Sequence, residues 1–161
     1  MNTPPANPGN VERVLGNLGL VLPPSPPARA LYVPFRIAGA LVYISGQGPA
    51  FADTAPSYGK VGKDLTLEEA ADAARRTALN VLAVLKDACG GDFSRVKQCV
   101  KLTGYVNSAP GFIRQREVVD GATHLLHSVF GEAGLPARVA VAAPELPFNI
   151  AVELETIFEL H

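Results

Sequence analysis

Tryptophan is absent from this chain, and the only cysteines are Cys89 and Cys99. The two thiols fit no metal-ligand spacing and are too few for a disulfide framework. They point to a reducing compartment, the cytoplasm. Charge of either sign is scarce. Fourteen Lys and Arg stand against fifteen Asp and Glu, for a formal net charge of −1. Without a basic excess there is no electrostatic footprint for nucleic acid or an anionic membrane. No apolar run reaches membrane-spanning length. The opening MNTPPANPGN lacks the basic-then-apolar layout of a signal peptide. A G-x-S-x-G elbow and a phosphate-binding loop are also missing. His124 and His127 lie three apart with no third ligand evident, so no metal site is expected.

Hydrophobic residues make up 48% of the 161 residues and charged ones 18%, the balance of one folded domain with a real core. Residues 1–10 read as a frayed Pro/Asn-rich tail. Val11 to Leu20 reads as a short helix with Val14, Leu15 and Leu18 on one side. The prolines of LPPSPPAR then force extended chain. Tyr32 to Ile37 and Leu41 to Ser45 read as strands, and Pro34 marks the first as an edge. Phe51 to Asp64 reads as a loop or short hairpin. Thr66 and Glu69 form a capping box that opens a helix with Ala70, Ala74, Thr77, Val81, Leu85 and Ala88 inward. Gly90-Gly91 ends it. Val96 to Asn107 reads as a strand with Val96, Val100, Leu102 and Val106 inward and Lys97 and Lys101 on a solvated face. Pro110 to about Phe130 reads as a second long helix. The order predicts an α+β fold: a mixed sheet of about six strands with two helices on one face. The other face would be left bare, and further copies of the chain are its natural cover.

The last stretch, LPARVAVAAPELPFNIAVELE, runs from Leu135 to Glu155. It reads as an antiparallel hairpin of Val139–Ala143 with Ile150–Leu154. In the simplest register Ala140 faces Glu153 and Arg138 faces Glu155, so all four share one side. A guanidinium, a gap and a carboxylate suit a small polar ligand, because Arg grips a planar carboxylate with a bidentate fork. A plain cross-strand ion pair accounts for the same residues.

The LPAR segment, LP eight residues after Arg138 and VE at fifteen resemble the C-terminal signature of the Rid/YjgF family. YISGQGP resembles that family's SGQ-P turn, and Tyr32 stands thirteen residues before Ser45, where the family has its active-site tyrosine. The similarity covers roughly Leu31 to Leu160, leaving residues 1–30 as an extension and 31–161 as the family-like domain. Its members are enamine/imine deaminases, formerly labelled L-PSP endoribonucleases or translation inhibitors. The resemblance implies a chorismate-mutase-like fold, a homotrimer with pockets between subunits, and no cofactor. It also implies that Arg138 clamps a substrate carboxylate, that Glu153 acts on the attacking water, and that Tyr32, Ser45, Ala140 and Gly121 line the pocket. Gly121 stands where many deaminating members carry Asn, and Ala140 where many carry Cys.

The expected reaction is hydrolysis of 2-imino or enamine acids to 2-oxo acids and ammonia, with Glu155 as the rival for the carboxylate role. The other reading is a non-catalytic trimer that binds a small carboxylate metabolite, as sensor or scaffold. A ribonuclease is disfavoured by the neutral charge and the lack of a basic or aromatic groove.

Overall fold

Thr66 opens the longest helix. Its hydroxyl accepts from the Glu69 N–H at 3.2 Å, and the Glu69 carboxylate accepts from the Thr66 N–H at 2.8 Å. Two otherwise orphaned donors are thereby satisfied. The computed structural model describes residues 11–28, 30–49 and 58–161. The expected tail over 1–10 and most of the loop from Phe51 lie outside the described residues. The elements are α1 (Val11–Asn17), β1 (Phe35–Ala38), β2 (Leu41–Gln47), α2 (Leu67–Ala88), β3 (Val96–Asn107), α3 (Gln115–Phe130), β4 (Ala137–Ala143) and β5 (Val152–Leu160).

Among the described residues the sheet has five strands, not six, in the order β1-β2-β5-β3-β4. It is mixed: only β3 and β4 are parallel. Helix α3 makes that parallel crossover possible. The C-terminal hairpin therefore does not exist. β4 pairs with β3, and β5 lies between β2 and β3. β1 is an edge, as Pro34 implied.

Helices α2 and α3 pack on each other and on one face of the sheet. Every inward residue expected on α2 is buried, as are Val119, Ala122, Leu126 and Val129 of α3. α3 starts at Gln115, later than Pro110, after turns around Ala109–Phe112. Helix α1 lies against α3, with Val11 and Leu15 in the same core. Phe130 meets both Phe93 and Phe158 edge-on, with centroids 6.3 Å apart. Each such ring contributes about 1.5–3 kcal/mol by burial.

Irregular pairing at Val96/Gln98 and Cys99/Lys101 shifts β3, so Cys99 takes the inward place expected for Val100. Burial lifts the Cys99 thiol to about 12 and the Cys89 thiol to about 11, so neither supplies a thiolate nucleophile. Lys97 does reach the surface, where it pairs with Glu159 at 2.8 Å. No described helix is long and apolar enough to cross a membrane.

The second sheet face carries Tyr43, Tyr105, Val139, Val141, Glu153 and Glu155, and no described helix covers it. Tyr43, Val139 and Val141 are 43%, 39% and 39% exposed. This is the bare face anticipated from the strand patterning.

Candidate functional site

The SGQG segment is a bulge inside β2, not a turn after it. Ile44 pairs with Thr156 and Gln47 with Leu154, so three steps along β2 match two along β5. The extra residue leaves Ser45 and Gly46 opposite Glu155. Bulges of this kind re-aim nearby side chains. Ser45 fixes the bulge to the segment leading into β1. Its Oγ donates to the Val33 carbonyl at 2.7 Å, and its N–H donates to the Pro34 carbonyl at 2.9 Å. Tyr32 sits at the head of that segment.

The Glu153 carboxylate lies directly against Gly46. A Cβ added at Gly46 would stand 1.9 Å from Glu153 Oε1, so a side chain there would push the carboxylate out of this place. Beyond it, Asn80 of α2 donates from Nδ2 to the Gly48 carbonyl at 2.8 Å. These groups border an open pocket of about 720 Å³. Tyr32, Ser45 and Glu153 line it together with Tyr58, Phe148 and Ile150. Glu153 is the only charged residue among its described lining residues.

Desolvation, reinforced by the neighbouring Glu155 carboxylate, raises the Glu153 pKa above the ordinary carboxylate value. A carboxylate destabilised as an anion is a stronger base. It also carries a stability signature. The folded pKa lies above the unfolded one, so the penalty is absent below the ordinary carboxylate value. It grows as pH rises towards the raised folded value and is then constant. Glu153→Gln should therefore melt higher than the parent at about pH 8, with the difference shrinking towards about pH 4. Thermal midpoints across that range measure it, and a gain independent of pH would contradict the cause given.

Arg138 is elsewhere. Cross-strand pairing places it beside Leu102 on the helix-facing side, whereas Glu153 pairs with Tyr105 on the open side. The expectation that Arg138, Ala140, Glu153 and Glu155 share one face is therefore corrected, and so is the Arg138–Glu155 pairing. With β3 between β4 and β5, Arg138 and Ala140 face the helices. Arg138 Nη1 donates to Asp120 Oδ1 at 2.7 Å and to Thr123 Oγ1 at 2.8 Å, both on α3. Its Nε and Nη2 have no protein partner among the described residues.

Gly121 does not line the Glu153 pocket. A Cβ there would stand 2.0 Å from the Ala71 carbonyl oxygen, so Gly121 is where α3 crosses the backbone of α2. Ala140 packs against the core beside Gly104. Glu155 accepts from the Tyr105 hydroxyl at 3.4 Å and borders a smaller cavity with Arg36 and Lys101. His127 faces Glu132 at 3.5 Å, and the described residues contain no metal-ligating cluster of three.

Sequence reasoning missed Gly46, Tyr58 and Phe148 as pocket residues. The signal for Gly46 was available in the glycine of SGQG. For Phe148 there was none, because a large residue in a left-handed turn contradicts local preference.

A mixed five-stranded sheet, helices on one face and a pocket at a bulge define a chorismate-mutase-like α+β protein. The family model described as "YjgF/chorismate_mutase-like, putative endoribonuclease" matches residues 12–160, and the chain belongs to this YjgF/Rid family. It is similar to Protein TCP17 of Trypanosoma cruzi, 40% identical over 154 residues, covering 95% of this chain and 96% of that one. Among solved structures it resembles Atu1372 of Agrobacterium tumefaciens, a protein of unknown function, at 42% identity and TM-score 0.88. That match covers 94% of this chain and 92% of the other. A Shewanella oneidensis protein bearing the endoribonuclease label matches at 36% identity and TM-score 0.89, over 93% and 99% of the two chains.

Proposed function

We propose that this chain hydrolyses reactive 2-imino and enamine acids to 2-oxo acids and ammonia. The observation that carries the reading is the Glu153 carboxylate, raised in pKa and seated against Gly46 in a pocket shared with Tyr32 and Ser45. An imine carbon is already electrophilic, so the addition needs no metal or cofactor. Glu153 accepts a proton as water oxygen bonds to the C=N carbon and the C=N π pair moves to nitrogen. Returned to nitrogen, that proton gives the carbinolamine. Glu153 then takes the hydroxyl proton and passes it to nitrogen as the C–N bond breaks, so that ammonia leaves and the C=O forms. Ser45 keeps the bulge in place, and Tyr32 contributes a hydroxyl at the pocket wall.

The substrate carboxylate needs a cation, and none of the described residues lining the pocket supplies one. Arg138 is suited to the task, since Asp120 and Thr123 hold Nη1 and leave the Nε–Nη2 edge for a bidentate carboxylate. It sits on the wrong face of its own sheet, so it serves only from a neighbouring copy. A homotrimer that buries the bare sheet face and joins the Glu153 side of one chain to the β4 edge of the next supplies that arrangement. Light scattering should give three times the 16.9 kDa chain mass; a monodisperse monomer contradicts the assembly.

Shared sites are tested by complementation. Arg138→Lys keeps the charge but loses the fork, which weakens carboxylate binding by about 1–3 kcal/mol. Mixed trimers of Arg138→Lys and Glu153→Gln then contain some pockets with both residues intact. Co-refolding the two variants should restore part of the lost hydrolysis. No recovery from proven mixed trimers would remove Arg138 from the site.

The endoribonuclease label has less support from this chain. Its formal charge is −1, and the one charged residue among those described in the pocket is an acid, which repels a phosphodiester.

A further inference from the structure

We propose, resting on the hydrolytic reading above, that the Glu153 pocket selects 2-imino acids with a large aromatic or branched apolar side chain, and that Phe148 sets this preference. The pocket's volume of about 720 Å³ lies within the range that encloses drug-sized ligands. On the single chain, a three-carbon imino acid fills only part of that open space. The walls are apolar as well as wide. Tyr32, Tyr58 and Phe148 line it, and they are 47%, 47% and 71% exposed. Aromatic rings at such exposure gain by stacking on another apolar group.

Phe148 is also held at a cost. Phe148 and Asn149 both have φ 57°, and Phe148 has ψ 16°. A bulky residue in the left-handed region persists only where its surroundings over-determine it, and such strain gathers at binding sites. The surroundings here are specific. Asn107, fully buried, donates from Nδ2 to Asn149 Oδ1 at 3.0 Å and to the Ile150 carbonyl at 3.1 Å. Lys60 Nζ donates to Asn107 Oδ1 at 3.0 Å and to the Pro144 carbonyl. The Gly59 N–H donates to the Asn149 carbonyl at 2.7 Å. This polar network fixes the backbone on the C-terminal side of Phe148, which lines the pocket.

The test compares kcat/KM on imines freshly generated from phenylalanine and from alanine. Wild type should prefer the phenylalanine-derived imine by about tenfold or more, the scale set by differences of one or more methylenes in an apolar pocket. Phe148→Ala should shrink that ratio at least tenfold, with KM carrying the change, and Phe148→Leu should recover part of it. Phe148→Gly relieves the left-handed strain, so it should lose the preference without lowering the melting temperature. Equal or reversed preference in wild type, or an unchanged ratio in Phe148→Ala, overturns the inference and leaves the hydrolytic reading standing. Calorimetry with phenylpyruvate and pyruvate separates the two failures. No hydrolysis of either imine, with phenylpyruvate still bound about tenfold tighter, removes the reaction but keeps this pocket assignment. Binding of neither acid removes both.

Discussion

Glu153→Gln should lower imine hydrolysis by about 10²–10⁴, the usual contribution of a general base. The amide keeps the shape of the carboxylate and its fit against Gly46, but it cannot take a proton from water. The loss cannot be assigned to unfolding, because the same substitution removes a half-buried anion and should raise stability above the ordinary carboxylate range. Glu155→Gln is the matched control. Glu155 points to the same sheet face but accepts from Tyr105 and borders the smaller cavity with Arg36 and Lys101. Its replacement should cost less than about tenfold. Parallel rate measurements on the two variants decide between the acids. If Glu155→Gln is the inactive one, the bulge and the pocket it frames are not the reactive centre.

Gly121→Ala should destabilise the fold by about 1–3 kcal/mol or more, the scale of overpacking a tight contact. Two effects oppose each other. Alanine is the better helix former by about 1 kcal/mol. Its Cβ, however, would stand 2.0 Å from the Ala71 carbonyl oxygen, 2.8 Å from the Ala71 carbonyl carbon and 3.2 Å from its Cα. Backbone cannot swing aside as a flexible side chain does, so α2 and α3 must separate, and the clash wins. Asparagine is larger still, and Gly121→Asn should do more damage. At about 2–4 °C per kcal/mol for a chain this size, the fall in melting temperature is easily read. Gly16→Ala is the control, since nothing lies within 4 Å of its Cβ position. A Gly121→Ala protein as stable as its parent would mean that the helices can yield there. Glycine at this position follows from helix packing, where α3 crosses the backbone of α2.

The helices were legible because their signals are local. The Thr66–Glu69 capping box, the spacing of apolar residues and the Gly90-Gly91 stop all act within a few residues. Strand order was not legible in the same way. β4 and β5 are adjacent in sequence, apolar and joined through prolines, which is how a hairpin looks. Yet β4 pairs with β3 across the α3 crossover, and β5 inserts between β2 and β3. These pairings are non-local, and nothing in the eight residues between β4 and β5 announces them. The error propagated to the site. Placing Arg138 opposite Glu155 put it on the open face, where a single chain never has it. Tyr32, Ser45 and Glu153 were read through the family resemblance, and all three line one pocket. What joins them is a bulge at Ser45–Gly46, which strand parity cannot foresee because a bulge breaks parity.

The most direct test of Glu153 as the base for C=N hydrolysis is release of 2-oxo acid from freshly generated imines with and without the wild-type chain. The expected rate stands clearly above that of uncatalysed hydrolysis, is proportional to protein concentration, is lost in Glu153→Gln and is kept in Glu155→Gln. A folded wild-type chain that accelerates no imine would contradict it, and would leave the pocket a binding site for small carboxylates.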